Sequence, residues 1–203
     1  MRFRRVEFAG LALVALLSGN SGAQNVSTGS PQGSTIGEIQ SLIRSRQYDQ
    51  ALTVTGADLE KAPSDYRLWT LQGIALSLKG DTSRALTSFD KALSLSPTYT
   101  PAVKGEAQIL FQSGDPRAIQ LLERILQADP HDLTAHEMLA TLERRSGNCA
   151  AANEHFQSAG DAINTHAESL EAYGYCLVET RQLDRAIPVF EQLVSLLPDR
   201  SYP

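Results

Sequence analysis

Apolar and small residues recur along this chain at the spacing of amphipathic helices. Trp69, Gly73 and Leu76 lie at positions i, i+4 and i+7, and Ala85 and Phe89 begin a second stripe of the same kind. Residues three to four apart lie on one face of an α-helix, so each stripe predicts a helix that buries one side. The pattern therefore predicts two amphipathic helices in succession.

The polar residues between the two stripes predict a tight turn. Gly80 can adopt the left-handed conformation that ends a helix, and Asp81 can cap the start of the next one. The same chemistry returns at Ser113-Gly114-Asp115 and Ser146-Gly147-Asn148. Pro97 follows the second stripe and stops its helix, because proline lacks a backbone N–H and restricts the preceding residue. The unit is a helix, a turn and a helix.

This unit is repeated along the chain. Alanines at the same position of the second helix are separated by 34, 33, 34 and 34 residues, and they are Ala51, Ala85, Ala118, Ala152 and Ala186. A proline follows twelve residues later in each unit except the fourth, where Asn164 stands instead. One hairpin cannot bury both of its faces, so the hairpins must stack. We expect five units, at residues 35–65, 66–99, 100–132, 133–166 and 167–200.

These residues resemble the tetratricopeptide repeat (TPR) family, whose 34-residue unit follows W-x2-L-G-x2-Y and then A-x3-F-x2-A-x4-P. The second unit fits this pattern best, and the first fits it least, with Thr55 and Asp58 at the second-helix phenylalanine and alanine positions. Thr35 and Glu38 have the spacing of a capping box, which predicts a helix start at Thr35. The resemblance implies an all-α solenoid, a right-handed superhelix of hairpins whose first helices line a concave, protein-binding groove.

The first 23 residues have the pattern of a secretory signal peptide. Arg2, Arg4 and Arg5 precede an apolar run at residues 8–17, and Ser21-Gly22-Ala23 offers a small-residue cleavage site. The run is shorter than the about 20 residues that span a bilayer. We expect a bacterial protein exported to the periplasm or secreted, with no membrane span after cleavage; an uncleaved anchor is the alternative. Residues 24–34 are polar and predict a flexible leader.

Charge and motifs exclude several classes of function. The formal net charge of the 203 residues is −5, so the chain lacks the basic surface on which nucleic-acid binding depends. His131, His136, His155 and His166 have no zinc-ligand spacing. We expect His131 and His166 at unit junctions and His136 in a packing slot. No nucleophile elbow or phosphate loop occurs in the sequence. We expect no metal, no cofactor and no enzymatic activity.

Cys149 and Cys176 are the two cysteines of the chain. They fall on the second helix of the fourth unit and the first helix of the fifth, which should pack against each other. In an exported protein such a pair could form a disulfide. The interpretation that the sequence favours slightly is two buried, unpaired thiols that act as small apolar side chains.

The face of each first helix opposite its packing stripe predicts the groove. Its middle should be basic and apolar and its C-terminal end acidic, which would suit an extended partner segment with a polar or acidic part and an apolar anchor. A mixed solvated face without a ligand is the alternative. The residues that we expect to contact a partner are Arg67, Thr70, Ile74, Lys104, Gln108, Phe111, Thr141, Arg144, Glu171 and Tyr175.

The last helix is apolar nearly all round, although repeat arrays usually need a polar terminal face. One side must pack on its own hairpin, and the other exposes Ile187, Val194 and Leu197 as a predicted interface. This edge could make the chain an assembly subunit that dimerises or polymerises. A soluble monomer with a frayed last helix is the other interpretation.

Overall fold

A computed structural model describes residues 32–197, with side chains from Thr35 onward. Every regular element in this range is a helix. The proposed signal peptide and residues 24–31 of the proposed leader lie outside it. The ten α-helices are α1 (Gln32–Arg44), α2 (Tyr48–Lys61), α3 (Tyr66–Lys79), α4 (Thr82–Leu95), α5 (Thr100–Ser113), α6 (Arg117–Ala128), α7 (Leu133–Arg145), α8 (Cys149–Ala159), α9 (Ala167–Glu179) and α10 (Leu183–Leu196).

The predicted turn chemistry between paired helices is confirmed. Gly80 ends α3 with a φ of 92°, and the carboxylate of Asp81 accepts a hydrogen bond of 3.2 Å from the backbone N–H of Arg84. Gly114 and Gly147 also have positive φ angles, of 72° and 80°. These left-handed residues reverse the chain within a few residues, which brings the two helices of a hairpin together.

The start of the first helix was predicted too late. The helix α1 begins at Gln32, so Thr35 lies inside its first turn, and Gln32 falls within the segment predicted as a flexible leader. The S/T-x-x-E spacing identifies a candidate cap, but it cannot exclude that the helix begins one turn earlier.

The fourth unit ends differently from the others. Gly160, at a φ of 53°, ends α8, and a 3-10 helix then runs over Gly160–Thr165. Asn164, which takes the place of the proline, donates a hydrogen bond of 2.8 Å to the carboxylate of Asp161. Because Asn164 has none of the constraints of proline, the chain continues in a helical conformation through this connection.

The chain divides into two compact units, residues 1–112 and 113–203. In the first unit, helices α1 to α5 share one apolar core, in which Ile39, Ile74 and Phe89 are fully buried. The ring of Phe89 lies so close to two glycines, Gly73 of α3 and Gly105 of α5, that neither position could carry a methyl group without a clash.

The second unit has its own core, formed by α7 to α10 and the 3-10 helix. Phe156 and Leu177 are fully buried there, and the centroid of the Phe156 ring lies 5.2 Å from that of Tyr173. The helix α10 continues through Pro188, the sixth of its residues. Of the helices described, none is long and apolar enough to cross a membrane.

Candidate protein-binding surfaces

Arg67 lies at the start of α3 and is ion-paired with its own helix cap. Its Nη2 lies 2.7 Å from Oδ2 of Asp65, and its Nε donates a hydrogen bond of 2.9 Å to Oδ1. The hydrogen bond from Arg67 lowers the pKa of Asp65, and the same bond raises the pKa of Arg67. The guanidinium therefore neutralises Asp65 and supplies less free positive charge than its sequence position predicted.

Three residues predicted to face a groove are buried instead. Thr70, Ile74 and Gln108 are 2%, 1% and 4% exposed. Ile74 belongs to the core of the first unit, and the hydroxyl of Thr70 donates to the carbonyl of Tyr66, one turn earlier. At this burial the three side chains offer almost no surface to a partner without a change in packing. The prediction is wrong for these three residues.

Lys104 and Phe111 lie on α5, and both are half-buried. They are separated by two turns of the helix, with the buried Gln108 between them. The predicted basic and apolar middle of the surface therefore offers only parts of two side chains on this helix.

The second unit presents the predicted residues on α7 and α9. Thr141 is half-buried and donates its hydroxyl proton to the carbonyl of Glu137, whereas Arg144 and Glu171 are exposed. Tyr175 is 49% exposed, and its ring contacts that of Phe190 edge to face at a centroid distance of 5.8 Å. We call Thr141, Arg144, Glu171 and Tyr175 the first-helix surface of the second unit.

A polar cluster beside this surface was not recognised in the sequence. Glu137 of α7 accepts a hydrogen bond of 2.5 Å from the hydroxyl of Ser169 on α9, and Nδ1 of His166 lies 2.7 Å from the same carboxylate oxygen. The cluster links the first helices of two successive hairpins. The spacing within one helix could not reveal that Glu137 has hydrogen-bond partners 29 and 32 residues away.

Two histidines pack together in the fourth hairpin. Nδ1 of His136 on α7 lies 3.0 Å from Nδ1 of His155 on α8, and Nε2 of His136 is 3.1 Å from the carbonyl oxygen of Pro130. Burial lowers the pKa of His155, and the neighbouring His136 lowers it further. The lowered pKa favours a neutral ring at His155, and the contact between the two rings occupies the packing slot predicted for His136. Residues 35–197 contain no group of three or more His, Cys, Asp or Glu side chains suited to a metal.

Cys149 and Cys176 are joined by a disulfide bond that connects α8 with α9. Their Cα atoms are 4.9 Å apart, and neither residue is exposed. Beside it, the side-chain amide of Asn153 donates hydrogen bonds to the carbonyl of Cys176 and the hydroxyl of Thr180. The fourth and fifth hairpins are therefore held together by a covalent bond as well as by packing.

The last helix exposes a row of apolar side chains. Leu183, Ile187 and Val194 are 57%, 58% and 53% exposed, and Phe190 between them is half-buried. Leu197, predicted to be part of the same edge, is half-buried at the C-cap of α10. Leu183, Ile187, Phe190 and Val194 follow one another at spacings of four, three and four residues, which places them on one face of α10, and we call this face the tail surface.

Comparison with known proteins supports the repeat assignment. The family model of the cytochrome c-type biogenesis protein H TPR domain matches residues 52–167, and a tetratricopeptide repeat model matches residues 138–201. No curated protein is similar enough in sequence to match the chain.

Solved structures of TPR proteins share the fold. MamA (residues 41 to the end) from Desulfovibrio magneticus RS-1 is 22% identical with a TM-score of 0.71, covering 87% of this chain and all of the other. The MamA RS-1 ArsTM double mutant is 23% identical, with a TM-score of 0.72 and coverages of 86% and 99%. YrrB, described as a TPR protein with an unusual peptide-binding site, is 18% identical, with a TM-score of 0.69 and coverages of 82% and 86%.

Proposed function

Because this chain belongs to the family of the cytochrome c-type biogenesis protein H TPR domain, we propose that it is a non-catalytic scaffold that binds a segment of a partner protein. Proteins of this fold bind through the surfaces of their helices, and YrrB is described as having a peptide-binding site. The partner segment lies on the first-helix surface of the second unit.

The exposure of Tyr175 carries this proposal. Tyr175 occupies the same repeat position as Ile74 and Gln108, directly after the small residues Gly174, Gly73 and Ala107. The side chains on α3 and α5 are buried at this position, whereas that of Tyr175 is half exposed. A tyrosine with an apolar ring and a polar tip is a frequent anchor of protein interfaces, because its ring buries a large area at a small entropic cost.

The charges around Tyr175 indicate the chemistry of the partner segment. Glu171 lies one turn before the tyrosine and Glu179 one turn after it, and both carboxylates are exposed. A segment with an apolar side chain against Tyr175 and basic side chains beside it would complement this surface. The acidic C-terminal end expected from the sequence is consistent with such a partner, whereas the ion pair of Arg67 makes the first unit the weaker binding surface.

We further propose that the protein is exported to the periplasm or secreted. The N-terminal pattern of basic, apolar and small residues supports this location, and so does the disulfide, because disulfides persist in oxidising compartments. The family description, which refers to cytochrome c-type biogenesis, is consistent with a bacterial periplasm. The scaffold would thus meet its partner outside the cytoplasm.

Photo-crosslinking in the native host tests the binding surface. A photoreactive phenylalanine analogue replaces Tyr175 in one strain and Ser158, exposed on the second helix α8, in a matched control strain. We expect one foreign protein to be crosslinked at position 175 and not at 158, and the adduct to be lost when Glu171→Lys is added. Equal labelling at both positions, or an adduct indifferent to Glu171→Lys, would contradict the proposal.

A further inference from the structure

The first unit shows how one hairpin is covered by the next. The buried ring of Phe89 on α4 packs on Gly73 of its own hairpin and on Gly105 of α5, the first helix of the following hairpin. Gly105 lies 16 residues after Phe89. A bulky residue on a second helix is therefore accommodated by a small residue on the helix that covers it.

The tail surface has bulky residues at the corresponding positions, and among residues 35–197 no helix covers them. Phe190 is 101 residues after Phe89 and packs on Gly174 of its own hairpin, but it is only half-buried. Ile187 and Val194 are likewise 101 residues after Leu86 and Leu93. Both leucines pack against the core of the first unit and are partly buried there, whereas Ile187 and Val194 are exposed.

The helix α1 carries small, exposed residues at the positions that would fit this surface. Gly37 is 68 residues before Gly105, two repeat lengths, and a methyl group built on it would have no atom within 4 Å. Gly37 and Ser41 also match Ala172 and Cys176 of α9 in the repeat, each 135 residues earlier. Ala172 and Cys176 are buried, and Cys176 is bonded to the preceding hairpin, whereas Gly37 and Ser41 are exposed.

The charges of the two ends are complementary. Residues 167–197 contain three more carboxylates than guanidinium groups, and residues 35–46 contain one more guanidinium group than carboxylates. Arg44 lies about one turn beyond Ser41 on α1 and is exposed. We call Gly37, Ser41 and Arg44 the head surface. The charged groups are Glu168, Glu171, Glu179, Asp184, Glu191, Arg181 and Arg185 at one end, and Glu38, Arg44 and Arg46 at the other.

We propose that the chain self-associates head to tail, with the head surface of one copy covering the tail surface of a second copy and Phe190 packing against Gly37. The helix α1 of one copy would cover α10 of the other copy, as α5 covers α4 within the first unit. The interface is heterologous, since two different surfaces meet, and a pair of copies keeps one free head and one free tail, to which further copies can add. This assembly does not depend on the partner binding proposed above.

Two variants block the two surfaces separately. Val194→Glu places a carboxylate in the apolar tail surface, next to Phe190, and Gly37→Leu fills the space on the head surface that Phe190 would occupy. Val194 is exposed and Gly37 has open space around it, so both variants should fold, which circular dichroism checks. Gln192→Glu is the matched control, because it adds a carboxylate on the opposite, exposed side of α10 and gives up only the exposed, 3.3 Å hydrogen bond from the Gln192 amide to the carbonyl of Asn164.

Analytical ultracentrifugation of the purified chain provides the test. The wild type and Gln192→Glu should assemble with rising concentration. Each blocking variant alone should stay monomeric over the same range, because the concentration at which half of the chains are assembled rises about 100-fold or more. An equimolar mixture of Val194→Glu and Gly37→Leu should form a one-to-one dimer, since each retains the surface that the other lacks.

Three results would overturn the inference. A wild type that stays monomeric would show that a second copy does not bind the tail surface. Dimers of Gly37→Leu alone would indicate tail-to-tail pairing, and a mixture that contains only monomers would exclude the heterologous interface. Neither variant changes a residue of the first-helix surface of the second unit, but Tyr175 contacts Phe190 of the tail surface. A crosslink from position 175 to a second copy therefore reports assembly, whereas a crosslink to a foreign protein that persists in both variants reports partner binding.

Discussion

At the scale of single residues, the contact of Phe89 with two glycines limits which side chains the core accepts. The Cβ of an alanine at position 73 would lie 2.7 Å from Cε1 of Phe89, and the phenylalanine is fully buried with no room to move. We expect Gly73→Ala to lower the free energy of unfolding by about 1–3 kcal/mol, because overpacking outweighs the higher helix propensity of alanine. Urea denaturation measures this change.

Gly56 provides the matched control for that prediction. It lies within α2, and a Cβ at this position would meet no atom within 4 Å. Gly56→Ala should therefore stabilise the protein by about 0.5–1 kcal/mol through helix propensity alone. Adding Phe89→Leu to Gly73→Ala should recover part of the loss, as a double-mutant cycle would show. If Gly73→Ala stabilised the protein as Gly56→Ala does, the close contact with Phe89 would be refuted.

Residue-level predictions from the sequence succeed where the chemistry is local and fail where neighbours decide. Gly80 and Asp81 act within their own turn, so their roles are readable from two adjacent letters. Ile74 and Tyr175 share one repeat position, yet one is buried and the other half exposed. The difference arises from the helices that cover each hairpin, and the periodicity of a single helix contains no information about them.

At the scale of helices, the disulfide joins α8 and α9. The repeat predicts that these two helices pack together, but it does not predict whether Cys149 and Cys176 are oxidised. The bond between α8 and α9 closes a loop with a sequence separation of 27. In the chain-entropy model, a loop of that length contributes about 3–4 kcal/mol to stability. We expect reductant to lower the free energy of unfolding by about this amount, measured by urea denaturation with and without dithiothreitol.

The double variant Cys149→Ala/Cys176→Ala is the control for this measurement. It should be destabilised to a similar degree and should not respond to reductant. Amide exchange should accelerate in α8 to α10 more than in α1 to α5, because the crosslink lies within the second unit. Two alkylatable thiols in the native, oxidised protein would show that the bond does not form.

The helices themselves were largely predictable, since five hairpins follow from one repeat length. The alanines and prolines fix the phase of each unit, and the TPR resemblance that they indicated is confirmed by the family models. The departures occur where that chemistry changes. The helix α1 begins before its apparent cap, and a 3-10 helix continues where Asn164 replaces proline. Where a helix begins or ends depends on the conformation of the whole connecting segment, and one residue type does not determine it.

At the scale of the whole molecule, the compartment determines whether the disulfide can form and which partner can be reached. Export would remove the basic N-terminal residues and leave a chain that begins at Gln24. We expect the protein from the periplasmic fraction of its host to have the mass of residues 24–203, with the disulfide intact. Intact-mass spectrometry under non-reducing conditions measures both features, because forming a disulfide removes two hydrogen atoms from the mass.

Ala23→Phe tests the cleavage itself, because signal peptidase requires a small residue at that position. The variant should accumulate as a longer precursor that retains Met1 or begins near it, in the membrane fraction. Ser18→Phe, outside the proposed cleavage site, is the control and should still be processed. If the wild-type protein stayed in the cytosol with residues 1–23 attached and with Cys149 and Cys176 reduced, the proposed export would be wrong, although the fold would be unaffected. The scaffold would then have to find its partner in a reducing compartment, where the α8–α9 crosslink would not persist.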